Sequence, residues 1–311
     1  EEYRSGNWQI AGCGSLITTA SYFPEFTESP EWLRTGIRYH RQHLKKDFFP
    51  DGCHGERCFG YMSMSIGAIG RAFRAARRIG GYGERDEEFR NALQRSYRWL
   101  ARAVGPKDLH PGIGDGHLGS ATNSLEQGQE FFQTDTDRYV GVDRTRSHFF
   151  PESGFAAMRN GPGEQDAYLF HTFGPWGGWH SHMDPTSFSF FALGEPLIEE
   201  AGRFEGYDNP LSFYLRAPEC HNIVTVDGAH FDADDIDWRV PKDPVWLSTP
   251  DLDFLTCHHR AYRYNALEPQ STNITIRRTV VFVKDPGYAL VFDTAIPEDS
   301  PNPIFTITQN W

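Results

Sequence analysis

The chain has 311 residues, 39% of them hydrophobic, and a formal net charge of −12 from 30 basic and 42 acidic side chains. That is apolar material enough for two ordinary cores, while the acidic balance excludes sequence-independent binding to nucleic acid, which needs a basic field. No run approaches the ~20 consecutive apolar residues of a membrane helix, and Glu1-Glu2-Tyr3-Arg4 has neither the basic head nor the apolar stretch of a signal peptide, so a membrane is not an expected partner either.

Residues 1 to about 110 read as helices paired in antiparallel hairpins. The stretch Asn7 to Ala20 mixes small and apolar residues, with Asn7 placed as an ordinary N-cap. Ser29-Pro30-Glu31 supplies a cap, a first-turn proline and an early acid for a helix to about residue 46. Phe48-Phe49-Pro50-Asp51-Gly52 breaks it. Tyr61 to Ile79 then sets Met62, Ile66, Ile69 and Phe73 on one face, and Glu84 to Val104 does the same with Phe89, Leu93, Tyr97 and Leu100. From 110 to 147 glycine, aspartate, threonine and serine indicate a connector with a short helix near Leu125 to Phe132.

Beyond it the period becomes two. Gly154 to Met158, Ala167 to Phe170, Thr186 to Leu193, Asn222 to Val226, Thr275 to Val283, Tyr288 to Phe292 and Ile304 to Ile307 are short strand patterns between turn residues. Helices followed by strands predict an α+β chain of two segregated halves, 1–140 helical with its connector and 141–311 an antiparallel β-sandwich. The first residue is not Met and Thr308 to Trp311 continues a strand pattern, so the sequence reads as cut at both ends.

Aromatic residues make up 14%, including 8 Trp and 13 Tyr, rings that stack on sugars in some proteins and fill cores in most. Five scattered cysteines with no CxxC pair read as free buried thiols, with a Cys53–Cys58 bridge as the alternative in an exported protein. Chemistry concentrates elsewhere. In Trp179-His180-Ser181-His182-Met183-Asp184 an extended strand would put His180, His182 and Asp184 on one face, an arrangement suited to a metal or to proton transfer. His182, a carboxylate of Glu199 or Glu200, and His221 would make an acceptable zinc set; ordinary buried histidines are the competing reading. The turn Asp51 to Tyr61 is polar and glycine-rich, and Tyr61, with Arg57 four residues before it, is either a proton-transfer group or a core tyrosine.

Gly178 to Asp184 with Ser187-Phe188-Ser189-Phe190, then Gly194 to Gly202, Tyr214-Leu215-Arg216 and His221 to Gly228, closely resemble the heparinase II/III-like polysaccharide lyases. The resemblance runs through Phe150 to Phe155 and Arg277-Arg278-Thr279-Val280, and back to Asp51-Gly52, Tyr61 and Asn7-Trp8, so it covers nearly the whole chain. It implies an incomplete (α/α) toroid followed by antiparallel sheet domains, with the active site in the cleft. By position it makes His182, Glu200 and His221 zinc ligands, His180 a catalytic histidine and Tyr61 a catalytic tyrosine. Asn7, one helical hairpin upstream of Tyr61, becomes the toroid partner. Glu200 before Ala201-Gly202 departs from the family's Asp before Pro-Gly, so Glu199 stays open as the ligand. Asp184 falls to a structural role. Arg57, Arg216 and Arg203 become candidates for binding substrate carboxylates, with Glu56 and Trp179 beside them.

The implied activity is that of a carbon-oxygen lyase cleaving a uronic-acid-containing polysaccharide or oligosaccharide by β-elimination, of heparinase or alginate lyase type, with a structural zinc near the site. Export to the periplasm or beyond the cell is implied by relatives that attack polymers. Oligomeric state and the particular polymer are left open. Two alternatives compete: a glycoside hydrolase on a toroid, recruiting a pair from Asp51, Glu56, Asp115 and Asp184, and a non-catalytic glycan-binding protein, which would need neither Tyr61 nor His180.

Overall fold

The computed structural model describes residues 4–80, 86–132, 139–174, 177–204, 206, 208–226, 242–263, 270–297 and 306–311. The chain forms two compact units, Glu1–Arg102 with Ala121–Val142, and Ala103–Ser120 with Asp143–Trp311.

The first unit is helical: α1 (Asn7–Tyr22), α2 (Ser29–Lys46), α3 (Phe59–Ala76), α4 (Glu87–Ala103) and α5 (Thr122–Phe132). Helix α1 packs against α2 and α3, and α3 against α5. Ile10, Ile17, Ile66, Ile69, Ala72, Leu93, Tyr97 and Leu100 are almost wholly buried, as their helical spacing predicts. Gly36 is what lets α2 approach α1: a Cβ there would lie 2.6 Å from the Ile17 side chain and 2.9 Å from the Cys13 carbonyl. Two cap expectations are corrected. Asn7 is the first helical residue, preceded by Gly6, and its side chain caps nothing. Ser29 also lies inside its helix, because its hydroxyl donates to the Phe23 carbonyl at 2.6 Å and so anchors the incoming turn.

The second unit is antiparallel sheet. A ribbon of β1 (Leu109–His110) and β2 (Gly119–Ser120) precedes a five-stranded sheet in sequential order, β3 (His148–Phe150), β4 (Phe155–Arg159), β5 (Tyr168–Thr172), β6 (Phe188–Ala192) and β7 (Glu195–Ile198). Helix α6 (Pro210–Arg216) and β8 (Val224–Val226) follow. A four-stranded sheet contains β9 (Lys242–Ser248), β10 (Leu252–Arg263), β11 (Gln270–Val283) and β12 (Tyr288–Pro297), and β13 (Ile307–Gln309) pairs with β8. The two large sheets share one core, in which Met158, Leu169, Phe173 and Phe188 meet Leu255, Cys257, Val280 and Phe282. A helical unit and a unit built mainly of antiparallel sheet make the chain α+β.

Residues 103–120 cluster with the sheets because buried hydrogen bonds tie them there. Arg144 donates to the Gly105 carbonyl at 2.6 Å and to Asp108 at 3.0 Å, and the Tyr168 hydroxyl donates to the Ala103 carbonyl. This brings the β1–β2 loop, residues 111–118, into the sheet unit. All five cysteines are free thiols. Among the described residues no helix is long and apolar enough to cross a membrane.

Candidate active site

His180 does not lie on a strand. Gly178, at φ 81°, opens a single 3-10 turn over Gly178–His180, and β6 begins only at Phe188. The corrected geometry has a local cause: the Gly177 amide donates to Ser181 Oγ at 2.7 Å and the Ser181 amide to the Gly178 carbonyl at 3.0 Å, which curls the glycine-rich segment. The β1–β2 loop docks on that turn. The Asp115 amide donates to the His180 carbonyl at 2.9 Å, and Gly114, at φ 60°, leaves no room for a side chain, since a Cβ would come 2.3 Å from that carbonyl.

The docked loop delivers a buried carboxylate. Asp115 Oδ2 lies 2.9 Å from His180 Nδ1 and accepts from Arg216 Nη2 at 3.2 Å, while Oδ1 lies 3.0 Å from His182 Nε2. Burial raises the Asp115 pKa, but the hydrogen bonds from His180 and His182 and the charge of Arg216 outweigh it and hold the carboxyl well below the usual range. The backbone closes the same arrangement: the Met183 amide donates to the Arg216 carbonyl at 3.0 Å. Asp115, His182, Arg203, Ser212, Phe213 and Arg216 line a small cavity.

Next to it is a second group. Glu200 Oε2 sits 2.5 Å from His221 Nδ1, and Glu200 Oε1 accepts from Asn222 Nδ2 at 3.2 Å. Burial opposes charge on His221, but the Glu200 carboxylate outweighs it and raises the pKa. Asp184, Glu200 and His221 each offer a donor atom within 4.8 Å of the others, and the His182 ring lies 5.4 Å from that of His221. His182 Nδ1 and His221 Nε2 are buried without hydrogen-bond partners. Two orphaned imidazole nitrogens beside buried carboxylates suit a divalent metal such as zinc, so the residues fit the group that the resemblance implies. Glu199 does other work: its Oε1 accepts from the Gly112 amide at 2.8 Å and from the Glu200 amide at 3.1 Å, and burial raises its pKa.

In the helical unit, the turn before α3 carries a polar chain. Asp47 Oδ2 lies 2.6 Å from His43 Nδ1, His43 Nε2 lies 3.2 Å from His54 Nε2, and His54 Nδ1 lies 3.6 Å from Glu56 Oε2. Glu56 Oε1 accepts from the Asn7 amide at 3.4 Å. Asn7 is 3% exposed, and its Nδ2 is buried with no hydrogen-bond partner. Arg57 is buried at φ 50°, a left-handed conformation unusual for a residue with a side chain, and Tyr61 is partly buried in the first turn of α3.

Residues 1–139 match the family described as Heparinase II/III N-terminus, and residues 142–308 match Heparinase II/III-like, C-terminal. The chain belongs to the heparinase II/III family. Within that family it is 22% identical to a heparin-sulfate lyase of Bacteroides stercoris, over 94% of this chain and 44% of the relative. It is 23% identical to a heparin-sulfate lyase of Pedobacter heparinus, over 98% of this chain and 48% of the relative. The chain thus spans about half the length of the curated relatives it matches. Among solved structures, a heparinase III aligns with a TM-score of 0.78 at 22% identity, over 94% of this chain and 46% of that one. The heparan sulfate lyase HepC of Pedobacter heparinus aligns at 0.73 and 22%, over 92% and 45%.

The implied residues of this heparinase II/III chain divide between the two units. Asn7, Glu56, Arg57 and Tyr61 are in the helical unit; His180, His182, Glu200, Arg216 and His221 are in the sheet unit. The side chain of Trp179 and the residues Asp227 and Gly228 lie outside those described. Glu200, not Glu199, is gathered with His221, and Asp184 joins that donor group, where the resemblance had left it a structural role. Asp115, considered in the sequence only as a carboxylate for a hydrolase, is the residue that ties His180 to His182. Its one signal was the glycine-rich frame Gly112-Ile113-Gly114-Asp115-Gly116, which marks a close backbone approach without saying to what.

Proposed function

We propose that this chain carries the catalytic residues of a polysaccharide lyase, a carbon-oxygen lyase that cleaves a uronic-acid-containing polysaccharide or oligosaccharide by β-elimination. The observation that carries the reading is the ordered match of both heparinase II/III families along the chain, with a histidine, His180, held by a buried carboxylate at the position the resemblance marks as catalytic. The heparin-sulfate lyases among its relatives point to a glycosaminoglycan of that kind as the first substrate to try. In this reading the helices are part of an (α/α) toroid, and the protein acts in the periplasm or outside the cell.

The chemistry asks three things of the protein. The C5 proton of the uronate is too weakly acidic while the neighbouring carboxylate keeps its full charge, so a donor must stabilise the developing enolate-like anion; the partnerless Nδ2 of Asn7 is such a donor. A base must take the C5 proton. Tyr61 does so where that proton and the leaving oxygen share a sugar face, and His180 where they lie on opposite faces. The C4–oxygen bond then breaks as the C4–C5 double bond forms, and Tyr61 gives a proton to the departing oxygen. Arg216 and Arg57 would offset substrate charge, and Glu56 and Trp179 would add substrate contacts. Zinc, held by His182, Glu200, His221 and Asp184, would supply a fixed positive charge that pins the loops bearing His180 and His221.

The test is ultraviolet absorbance during incubation with a panel of uronate polysaccharides, heparan sulfate first. Growth of absorbance from the conjugated product is expected; reducing ends without it would mean hydrolysis. Tyr61→Phe should lower kcat by about 10²-fold or more, and an unchanged rate would remove Tyr61 from the mechanism.

A further inference from the structure

We infer that Asp115 is a positioning residue that fixes the tautomers of His180 and His182 at the same time and in opposite senses, assigning one ring to proton transfer and the other to the metal. The inference deepens the lyase reading and rests on it for the roles of the two rings, though not for their tautomers.

A carboxylate only accepts hydrogen bonds, so any neutral imidazole nitrogen facing it must carry the proton. Asp115 Oδ2 faces His180 Nδ1 at 2.9 Å, and Oδ1 faces His182 Nε2 at 3.0 Å. His180 is therefore protonated at Nδ1 and presents a lone pair at Nε2, which suits a base. His182 is protonated at Nε2 and keeps its lone pair at Nδ1, the atom that is buried without a hydrogen-bond partner, in a ring 5.4 Å from His221. A metal-binding histidine whose second nitrogen donates to a carboxylate is a recurrent arrangement that orients the ring and raises its basicity. Here one carboxylate serves two histidines two residues apart.

The supports are specific. Asp115 is almost wholly buried. Its backbone amide is fixed on the His180 carbonyl, and Gly114 permits that approach. Arg216, at 3.2 Å from Oδ2, balances the buried charge.

The experiment is long-range ¹H–¹⁵N spectroscopy of histidine side chains in this chain, metal-free and at neutral pH, with the two rings assigned from the signals missing in His180→Gln and His182→Gln. We expect an Nδ1–H tautomer for His180 and an Nε2–H tautomer for His182. Equal tautomers, reversed tautomers or a doubly protonated ring would overturn the inference, and this wild-type reading stands even if the variant does not fold. In Asp115→Asn the amide offers one acceptor and one donor, so one ring should switch tautomer; an unaltered pair of signals overturns the inference. Zinc titration of the same variant should show affinity reduced about 10- to 100-fold, and unchanged affinity would also count against it. If no uronate polymer raises absorbance with the wild type, the lyase reading fails while these spectra still decide the role of Asp115.

Discussion

Asn7 is a residue whose burial lets a proposed functional role be told from a structural one. Its Nδ2 has no hydrogen-bond partner and the residue is 3% exposed, so the amide carries a desolvation cost that no internal bond repays. Asn7→Ala should therefore leave the unfolding free energy within about 1 kcal/mol of wild type. It should also reduce turnover by about 10²- to 10³-fold if the amide stabilises the anion. Denaturant melts and steady-state rates on the same preparation decide this; a large stability loss with rates retained would return Asn7 to the core. The sequence made the histidines legible because imidazoles two residues apart in a glycine-rich frame are an uncommon pattern. It left Asp115 in the background, because the carboxylate reaches His180 and His182 across 65 and 67 residues of chain and only folding makes that contact.

At the scale of elements, β11 holds the segments beside the candidate site through one side chain. Arg278, 1% exposed, donates to both Asp293 oxygens at 2.8 and 2.9 Å, to the Thr186 carbonyl at 2.9 Å and to the Asn222 carbonyl. It thereby joins β12 to the segments that lead into β6 and β8. Arg278→Met would leave two loop carbonyls without this donor and the Asp293 charge with the Gln309 amide, at 3.2 Å, in place of a cation, at a cost of about 3–5 kcal/mol. Urea unfolding measures it, and a loss below about 1 kcal/mol would show the network to be dispensable. The helices were readable at this scale because their apolar residues keep the helical period, and α2, α3 and α4 lie within a few residues of where that period puts them. Strand β10 was not readable. Its inner face carries Asp253, Leu255, Cys257 and His259, all buried, so polar residues erase the alternation that marks a strand. Asp253 is tolerated there because Ser147, Ser248 and Lys284 surround it at 2.5 to 3.0 Å.

For the molecule as a whole, acid should be the sharpest stress. Burial drives the imidazoles of His40, His171 and His259 down to about 3, helped by His43 at the first and Arg278 at the other two. In the unfolded chain each titrates near 6.5. The stability that comes from keeping these rings neutral is therefore complete above about pH 6.5 and drains away as pH falls towards 3, because the unfolded chain takes up protons that the folded one refuses. Each ring contributes about 1.4 kcal/mol per pH unit across that window. Three together approach the whole stability of an ordinary domain, about 5–15 kcal/mol, within two or three units. Asp115 acts in the same direction at lower pH: its depressed pKa stabilises the fold above the ordinary carboxylate value and is lost as acid protonates it. Since His40 is in the helical unit and the other two are in the sheet unit, both units should weaken together. His171→Phe isolates one share. The ring lies parallel to Phe188 at 6.5 Å, so a phenyl group fits its surroundings, and the variant should match or exceed wild-type stability at pH 7.5. Between pH 6.5 and 5 its unfolding free energy should fall less steeply than that of wild type by about 1.4 kcal/mol per pH unit. Equal slopes in the two proteins would mean that His171 takes up its proton in the folded state and that burial does not control it.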